Sequence, residues 1–377
     1  MPNVGLREWW AAGRAIAGGR LLRFESKHRF TDQFERRLAS MIGAKYVLTV
    51  NGGTGALIAA LAGAGIGPGD EVLVPAYTWM ATAAAPVMVG AVPVLVDIDE
   101  SLTIDPADIE RKITPYTRAI MPVHMLNLPC NMDAIMAIAR KRKLLVIEDA
   151  CQAVGVRYKD RYCGAIGDAG AFSFNAYKNI NIGEGGAVIT SQDRIFARAR
   201  QYHDLGSAVR NHDETFNEPA FVGVNMRATE VEGAMLGVQL SKLAPMLKRL
   251  RKRRQMFEPI LGKSAKLRIS PHHDSDNAVS LTVIFDRQED AIEFSKRRGV
   301  TRLYDNSKHI YTNWEAILCK RTFHPKLNPW AWAKRPIEYN IDMCARTLDI
   351  LQRSCRIGLG PQYPMPLMRY MAERLAT

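Results

Sequence analysis

The chain reads as an α/β protein, with a mainly parallel central sheet sandwiched by helices and a smaller α+β unit at the C-terminal end. Three observations predict this. From about residue 30 to 205, apolar runs of strand length alternate with amphipathic runs of helix length. That beat implies parallel strands joined by right-handed helical crossovers, with ligands gathering at the carboxyl ends of the strands. After about residue 229 the beat gives way to one long helical stretch and then a region with a single clear strand. A length of 377 residues is also more than one ordinary core requires. The expected division is 1–245, a large domain with an N-terminal arm, and 246–377, a small C-terminal domain.

Taken in order, Phe34, Leu38, Met41 and Ile42 mark a helix that Asp32 and Glu35 could cap and Gly43 could end. Tyr46 to Val50 reads as a strand, followed by a glycine turn and an Ala/Leu-rich helix from Ala56. Further strands are expected at Glu71–Val74, Val92–Val96, Ala119–Val123 and Leu144–Ile147, and Ser173 falls in another. Asn131 to Lys143 is a helix whose apolar side is Met132, Ile135, Met136 and Ile138. A helix from Gln192 to about His203 leads into a polar loop, Ser207 to Pro219. A long helix from about Thr229 to Phe257 then links the sheet to the C-terminal part, where Val279–Phe285 is a strand and Glu289–Arg298 a helix.

Composition sets outer limits. With 47% hydrophobic and 24% charged residues the chain falls among ordinary globular proteins. Its N-terminus interleaves Trp9 and Trp10 with charged and small residues, which fits neither a secretory signal nor a membrane span, so a cytoplasmic location is expected. Six cysteines without a CxxC pair read as free thiols, and no metal site is expected. The net charge of +13 admits nucleic acid, an anionic surface or an acidic small molecule as partner. Its densest run, Lys248 to Arg254, fits the solvated side of a helix whose apolar positions are Leu243, Met246, Leu247 and Leu250. No aromatic residues interleave the charges, which disfavours nucleic acid.

Three groups carry chemistry. In Gly170 to Gly186 one lysine, Lys178, lies among apolar and small residues just before a glycine cluster. Desolvation there favours a neutral, nucleophilic amine able to form a Schiff base, which points to pyridoxal phosphate. The second group is Asn51-Gly52-Gly53-Thr54-Gly55, between a strand and a helix. Its backbone N–H groups and the Thr54 hydroxyl could hold a phosphate, although a plain tight turn fits the same residues. The third is Glu148-Asp149-Ala150-Cys151-Gln152, after a buried strand. Asp149 could keep a pyridine nitrogen protonated, or cap a neighbouring helix; Gln152 could donate to a ring oxygen, or satisfy backbone. Ser173 could donate to the phosphate. Each group alone has an ordinary structural explanation, and their coexistence in this order favours the cofactor.

These residues resemble the sugar aminotransferases of the DegT/DnrJ/EryC1/StrS type, within the aspartate aminotransferase fold, type I of the pyridoxal phosphate-dependent transferases. The resemblance covers most of the chain and is strongest from Asn51 to Gln239. Its carriers are Gly53-Thr54, Pro75-Ala76-Tyr77-Thr78-Trp79, Glu148 to Ala153, Phe172 through Lys178 to Gly186, and Gly223-Val224-Asn225-Met226-Arg227. It implies that Lys178 is the catalytic residue and anchors pyridoxal 5'-phosphate, with pyridoxamine phosphate formed in turn. It further implies that Trp79 stacks on the pyridine ring, Asp149 binds its nitrogen and Gln152 its oxygen. Gly53, Thr54 and Ser173 would hold the phosphate, and Asn225 would reach the phosphate of a neighbouring subunit in a homodimer with shared sites.

Three departures stand out. The family's histidine followed three residues later by glycine is here His124-Met125-Leu126-Asn127, and asparagine in place of glycine could reshape the loop near the substrate. The usual tyrosine is missing from Val222-Gly223-Val224. The stretch His309 to Glu315 also differs from the common nucleotide-sugar pattern, as in a branch acting on free acidic sugars. The expected activity moves an amino group from glutamate or glutamine to a keto or aldehyde sugar. That acceptor is a nucleotide sugar or a sugar acid such as an oxidised 3-deoxy-octulosonate. The rivals are a pyridoxamine phosphate-dependent keto-sugar dehydratase, whose relatives replace the lysine with histidine, and a noncatalytic regulatory or nucleic-acid-binding member of the fold.

Overall fold

The computed structural model describes residues 4–23, 29–206, 219–360 and 362–376. Its strands are β1 (Tyr46–Val50), β2 (Glu71–Pro75), β3 (Val92–Val96), β4 (Thr117–Ile120), β5 (Leu145–Asp149), the short hairpin β6 (Arg157–Tyr158) and β7 (Arg161–Tyr162), β8 (Ala169–Ser173) and β9 (Gly186–Thr190). The C-terminal part adds β10 (Arg268–Ile269), β11 (Leu281–Ile284), β12 (Val300–Arg302) and β13 (Ser354–Ile357). Seven strands form one sheet in the order β1-β9-β8-β5-β4-β2-β3. The ladder from β8 through β5, β4 and β2 to β3 is parallel, as the alternation predicts. β9 is not foreseen by it: this strand runs antiparallel to both β8 and β1, inserted between them, with β1 at that edge of the sheet. β2, β3, β8 and β9 are buried along their full length, so they read as continuous apolar runs rather than as alternation.

Helices cover both faces. α1 (Leu6–Ala17), α2 (Phe30–Ile42), α3 (Gly53–Ala64), α4 (Ala81–Met88), α5 (Pro106–Lys112), α6 (Met132–Arg142), α7 (Asp193–His203) and α8 (Glu230–Leu261) come first. α9 (Gln288–Ser295), α10 (Glu315–Leu318), α11 (Ala345–Gln352) and α12 (Met365–Ala376) follow. One core joins Leu57 and Leu61 of α3 with Ile195 of α7; the other joins Phe34 and Leu38 of α2 with Ile135 of α6 and Leu236 of α8. Gly43 ends α2 in the left-handed region, φ 72°. The caps expected at its start are a correction. Glu230 Oε2, far along the chain, accepts the Phe30 N–H at 2.8 Å, while Glu35 turns inward to accept the Thr49 N–H at 2.6 Å and to pair with Arg23 at 2.7 Å.

α8 begins with a capping box in which Thr229 and Glu232 exchange hydrogen bonds. It runs past the large sheet to the second one, ordered β10-β11-β13-β12. There Phe257 and Leu261 share a core with Leu281, Val283, Ile357 and Met368. The basic run is only partly the solvated face expected. Lys248, Arg249 and Lys252 are exposed, but Arg253 and Arg254 are buried. Arg253 donates to the carbonyls of Leu359, Gly360 and Tyr363, and Arg254 donates to the Ser280 carbonyl and pairs with Glu258. Most of the predicted polar loop, 207–218, lies outside the described residues. Among those described, no helix is long and apolar enough to cross a membrane.

Candidate active site

The chemistry-bearing residues collect at the carboxyl ends of β1, β5 and β8. α3 starts directly after β1, and its Ncap Gly52 provides no side-chain bond, so the first-turn N–H groups lack intrahelical acceptors. A Cβ at Gly53 would lie 2.8 Å from Ser173 Cβ and 2.9 Å from Cys151 Sγ. The absence of a side chain there brings the Ser173 hydroxyl and the turn backbone together. Gly186, at the start of β9, is needed for the same reason: its Cβ would meet the Gly52 carbonyl carbon at 2.4 Å. Thr54 is exposed at the mouth of this turn. Backbone donors, two hydroxyls and a helix N-terminus make a cradle that fits a phosphate.

Asp149, the last residue of β5, is 4% exposed. Its Oδ1 accepts the Cys151 N–H at 3.1 Å and its Oδ2 accepts the Thr82 hydroxyl at 2.7 Å. It caps no helix. Both donors are neutral, and no described residue forms an ion pair with it, which leaves a buried carboxylate ready for a cationic partner such as a pyridinium N–H. Gln152 Oε1 accepts the Leu126 N–H at 3.1 Å, so the carboxamide is oriented with its NH2 left for another acceptor. Cys151 is buried between these groups. Burial, reinforced by Asp149 and opposed by Lys178, pushes its thiol well up, so it stays protonated.

Behind Asp149, Glu148 is fully buried and accepts the N–H groups of Gly164 at 2.8 Å and of Ile166 and Gly167 at 2.6 Å. His124 donates to it through Nε2 at 2.8 Å, because the Cys130 N–H at 3.1 Å occupies Nδ1. Asn127 sits at φ 64°, the left-handed region a glycine would occupy, and its Oδ1 accepts the Asn179 side-chain NH2 at 2.6 Å. That NH2 also reaches the Val154 carbonyl at 2.9 Å.

Lys178 is half-buried in a turn closed by its own N–H to the Asn175 carbonyl at 2.9 Å. Downstream, the Asn181 N–H bonds Gln239 of α8 at 3.2 Å, and Gln239 in turn donates to Glu8 of α1 at 2.8 Å. The lysine turn is thus tied to two helices. Trp79, 49% exposed, follows β2, and its ring lies 5.8 Å from that of His309. Asn225 precedes Met226, whose carbonyl accepts the Asn51 N–H at 2.9 Å beside the phosphate turn. It is exposed, bridges to Asp204, and turns its Oδ1 back to the Arg227 N–H at 3.3 Å.

Thr82, Cys151 and His309 belong to this cluster without having been singled out as site residues. Thr82 had a signal, since it follows the Pro75–Trp79 segment by three positions; His309 was noted only as the start of a departing stretch, His309 to Glu315. All six cysteines are unpaired, and the described residues hold no cluster of metal-ligating side chains.

Known proteins share this arrangement of sequence and fold. The spore coat polysaccharide biosynthesis protein SpsC of Bacillus subtilis is 37% identical over 311 residues, covering 80% of this chain and 77% of its own. The GDP-perosamine synthase of Caulobacter vibrioides is 42% identical over 216 residues, 57% of each chain. The solved structure of S. venezuelae DesV matches with a TM-score of 0.77 at 28% identity, over 98% of this chain and 93% of that one. Residues 22–313 match one aminotransferase family throughout. The chain belongs to the DegT/DnrJ/EryC1/StrS aminotransferase family, whose enzymes depend on pyridoxal phosphate.

Proposed function

We propose that this chain transfers an amino group from glutamate or glutamine to a keto or aldehyde carbon of a sugar, with pyridoxal 5'-phosphate anchored on Lys178, in a cytoplasmic homodimer. The observation that carries the reading is Asp149. A carboxylate this buried, served only by neutral donors, costs several kcal/mol unless a cation joins it, and a protonated pyridine nitrogen is such a cation. The cofactor, when bound, supplies an electron sink for the carbon that loses its proton.

The chain's own residues do the rest. First-turn N–H groups of α3, with the Thr54 and Ser173 hydroxyls, bind the phosphate, and Gly53 keeps that approach open. Thr82 orients Asp149, and Gln152 donates to the ring oxygen through the NH2 that Leu126 leaves unused. Trp79 covers one ring face. Lys178 Nζ moves the proton from the donor's α-carbon and later delivers one to the sugar carbon. Asn225, exposed on the segment that bonds the phosphate turn through Met226, serves the site of a second copy. The unpaired thiols support a reducing compartment. The named roles of SpsC and GDP-perosamine synthase support a sugar acceptor, and the +13 charge supports an anionic one, a nucleotide sugar or a sugar acid.

The test is colour followed by product. Reconstituted protein is expected to absorb in the visible range, with a shift on adding glutamate or glutamine, and Lys178→Ala to lose that band. A panel of keto sugars run forward and in reverse identifies the acceptor. A protein that retains no cofactor refutes the reading. A sugar that loses a hydroxyl without gaining nitrogen would make the enzyme a dehydratase.

A further inference from the structure

The turn that carries Lys178 leaves the sheet after β8 and returns to it at β9, and backbone bonds close its neck. The Ala176 N–H reaches the Gly183 carbonyl at 3.1 Å, and the Ile182 N–H reaches the Phe174 carbonyl at 3.0 Å. Inside that neck Ile180 is buried in the core with Phe34 and Leu236. Asn181, three residues past the lysine, gives its N–H to Gln239 Oε1 at 3.2 Å.

That last bond depends on which way the Gln239 carboxamide faces. Gln239 is fully buried, and turned over it would set its NH2 against the Asn181 N–H, donor against donor. Glu8 of α1 decides the orientation. It too is fully buried; its Oε1 accepts the Gln239 NH2 at 2.8 Å and the Lys242 ammonium at 2.5 Å, and its Oε2 accepts the Gly5 N–H at 2.9 Å. Burial raises the pKa of this carboxyl, but Lys242, the Gly5 N–H and Gln239 outweigh burial and hold it below its ordinary value, so it is ionised near pH 7. A carboxylate accepts at both oxygens and donates at neither, so only the NH2 of Gln239 can face it. Glu8 lies ahead of residue 22, where the family match begins.

We propose that Glu8 is a positioning residue for Lys178: through Gln239 it holds the far side of the lysine turn, so that the N-terminal helix sets where the amine stands. The relay runs from the Glu8 carboxylate to the Gln239 carboxamide, then to the Asn181 N–H and back along the turn to the lysine. Glu8 and Gln239 act on the placement of Lys178 and not on the reacting atoms. The importance of that placement rests on the aminotransferase reading.

The experiment is a swap of the two side chains, read by hydrogen exchange of the apoprotein and by glutamate kinetics of the cofactor-loaded enzyme. Glu8→Gln has one acceptor oxygen for jobs that two perform, which frees the Gln239 carboxamide to turn over. Its Asn181 amide is expected to exchange about 10- to 100-fold faster, the loss of a hydrogen bond to a charged group, while the amides of β4 stay at wild-type rates. In the loaded enzyme kcat is expected to fall about 10-fold with the KM for glutamate within about 2-fold of wild type. Combining Glu8→Gln with Gln239→Glu again pairs a carboxylate with a carboxamide, still offers Asn181 an acceptor, and is expected to recover most of both losses. Gln239→Met, close in volume, removes that acceptor directly and is expected to match Glu8→Gln, so the link is readable even where Glu8→Gln folds poorly. An unchanged Asn181 amide, faster exchange throughout the sheet, a loss in KM rather than kcat, or a swap no better than Glu8→Gln overturns the proposal. Because exchange is read without cofactor, a protein that shows the relay yet retains no cofactor refutes the aminotransferase reading and still supports the relay. A loaded, active enzyme whose Asn181 amide and kcat ignore Glu8 refutes the positioning role alone.

Discussion

Asn127→Gly isolates one hydrogen bond. The residue sits at φ 64°, so glycine takes its place without backbone strain and only the side-chain acceptor is lost. That acceptor holds the Asn179 NH2 at 2.6 Å, and Asn179 directly follows Lys178. The Val154 carbonyl, at 2.9 Å, remains to hold the same NH2, so the loss is one partner of two. One such bond is worth a net of about 0.5–1.5 kcal/mol, which corresponds to a fall of about 2- to 12-fold in the population with the lysine correctly placed. The assay is the single-turnover rate with saturating glutamate, normalised to cofactor content, together with hydrogen exchange over residues 175–180. Asn127→Asp keeps an acceptor oxygen and is expected to hold both readouts near wild type. A glycine variant matching wild type in rate and exchange would refute the idea that Asn127 braces the lysine turn.

Arg253→Ala is expected to lower unfolding stability by about 2 kcal/mol in urea melts, because the buried Leu359 carbonyl and the partly buried carbonyls of Gly360 and Tyr363 lose their donor. Arg253→Lys is expected to recover less than half, since an ammonium cannot fork across them. Acid sensitivity follows from two histidines. Burial first, then nearby cations, lower His309 to about 4 and His272 to about 3, below their ordinary 6.5. The unfolded chain therefore binds more protons between those values. Stability is fully present above about pH 6.5 and declines as the pH falls towards 4. Urea midpoints across pH 4–8 are the check: His309→Asn and His272→Asn flatten the slope, and a flat wild-type profile contradicts the assignment.

Much of the large sheet was legible because its strands are short, apolar and bounded by glycine or by the start of a helix. Asp149 was legible as a buried acid at the carboxyl end of a strand because it ends such a run. β9 was not, since its antiparallel course depends on pairing with β1, which precedes it by more than a hundred residues. Glu35 shows the same limit at one side chain: an acid in the first turns of a helix looks like a cap, and only the fold reveals the Thr49 N–H beneath it. Asn127 was recognised as a departure, but a left-handed φ with a bond to Asn179 is visible only once both loops are placed.

The buried pair on α8 bears on how this protein can be handled. A chain with a net charge of +13 adheres to polyanions during purification, and the simple remedy is to neutralise its densest basic run. Lys248, Arg249 and Lys252 are open to that treatment. Arg253 and Arg254 are not, because their charge is already spent on carbonyls of the C-terminal layer. A variant that strips all five for cleaner chromatography would also strip the donors that tie α8 to the carbonyls of Ser280, Leu359, Gly360 and Tyr363 flanking the second sheet.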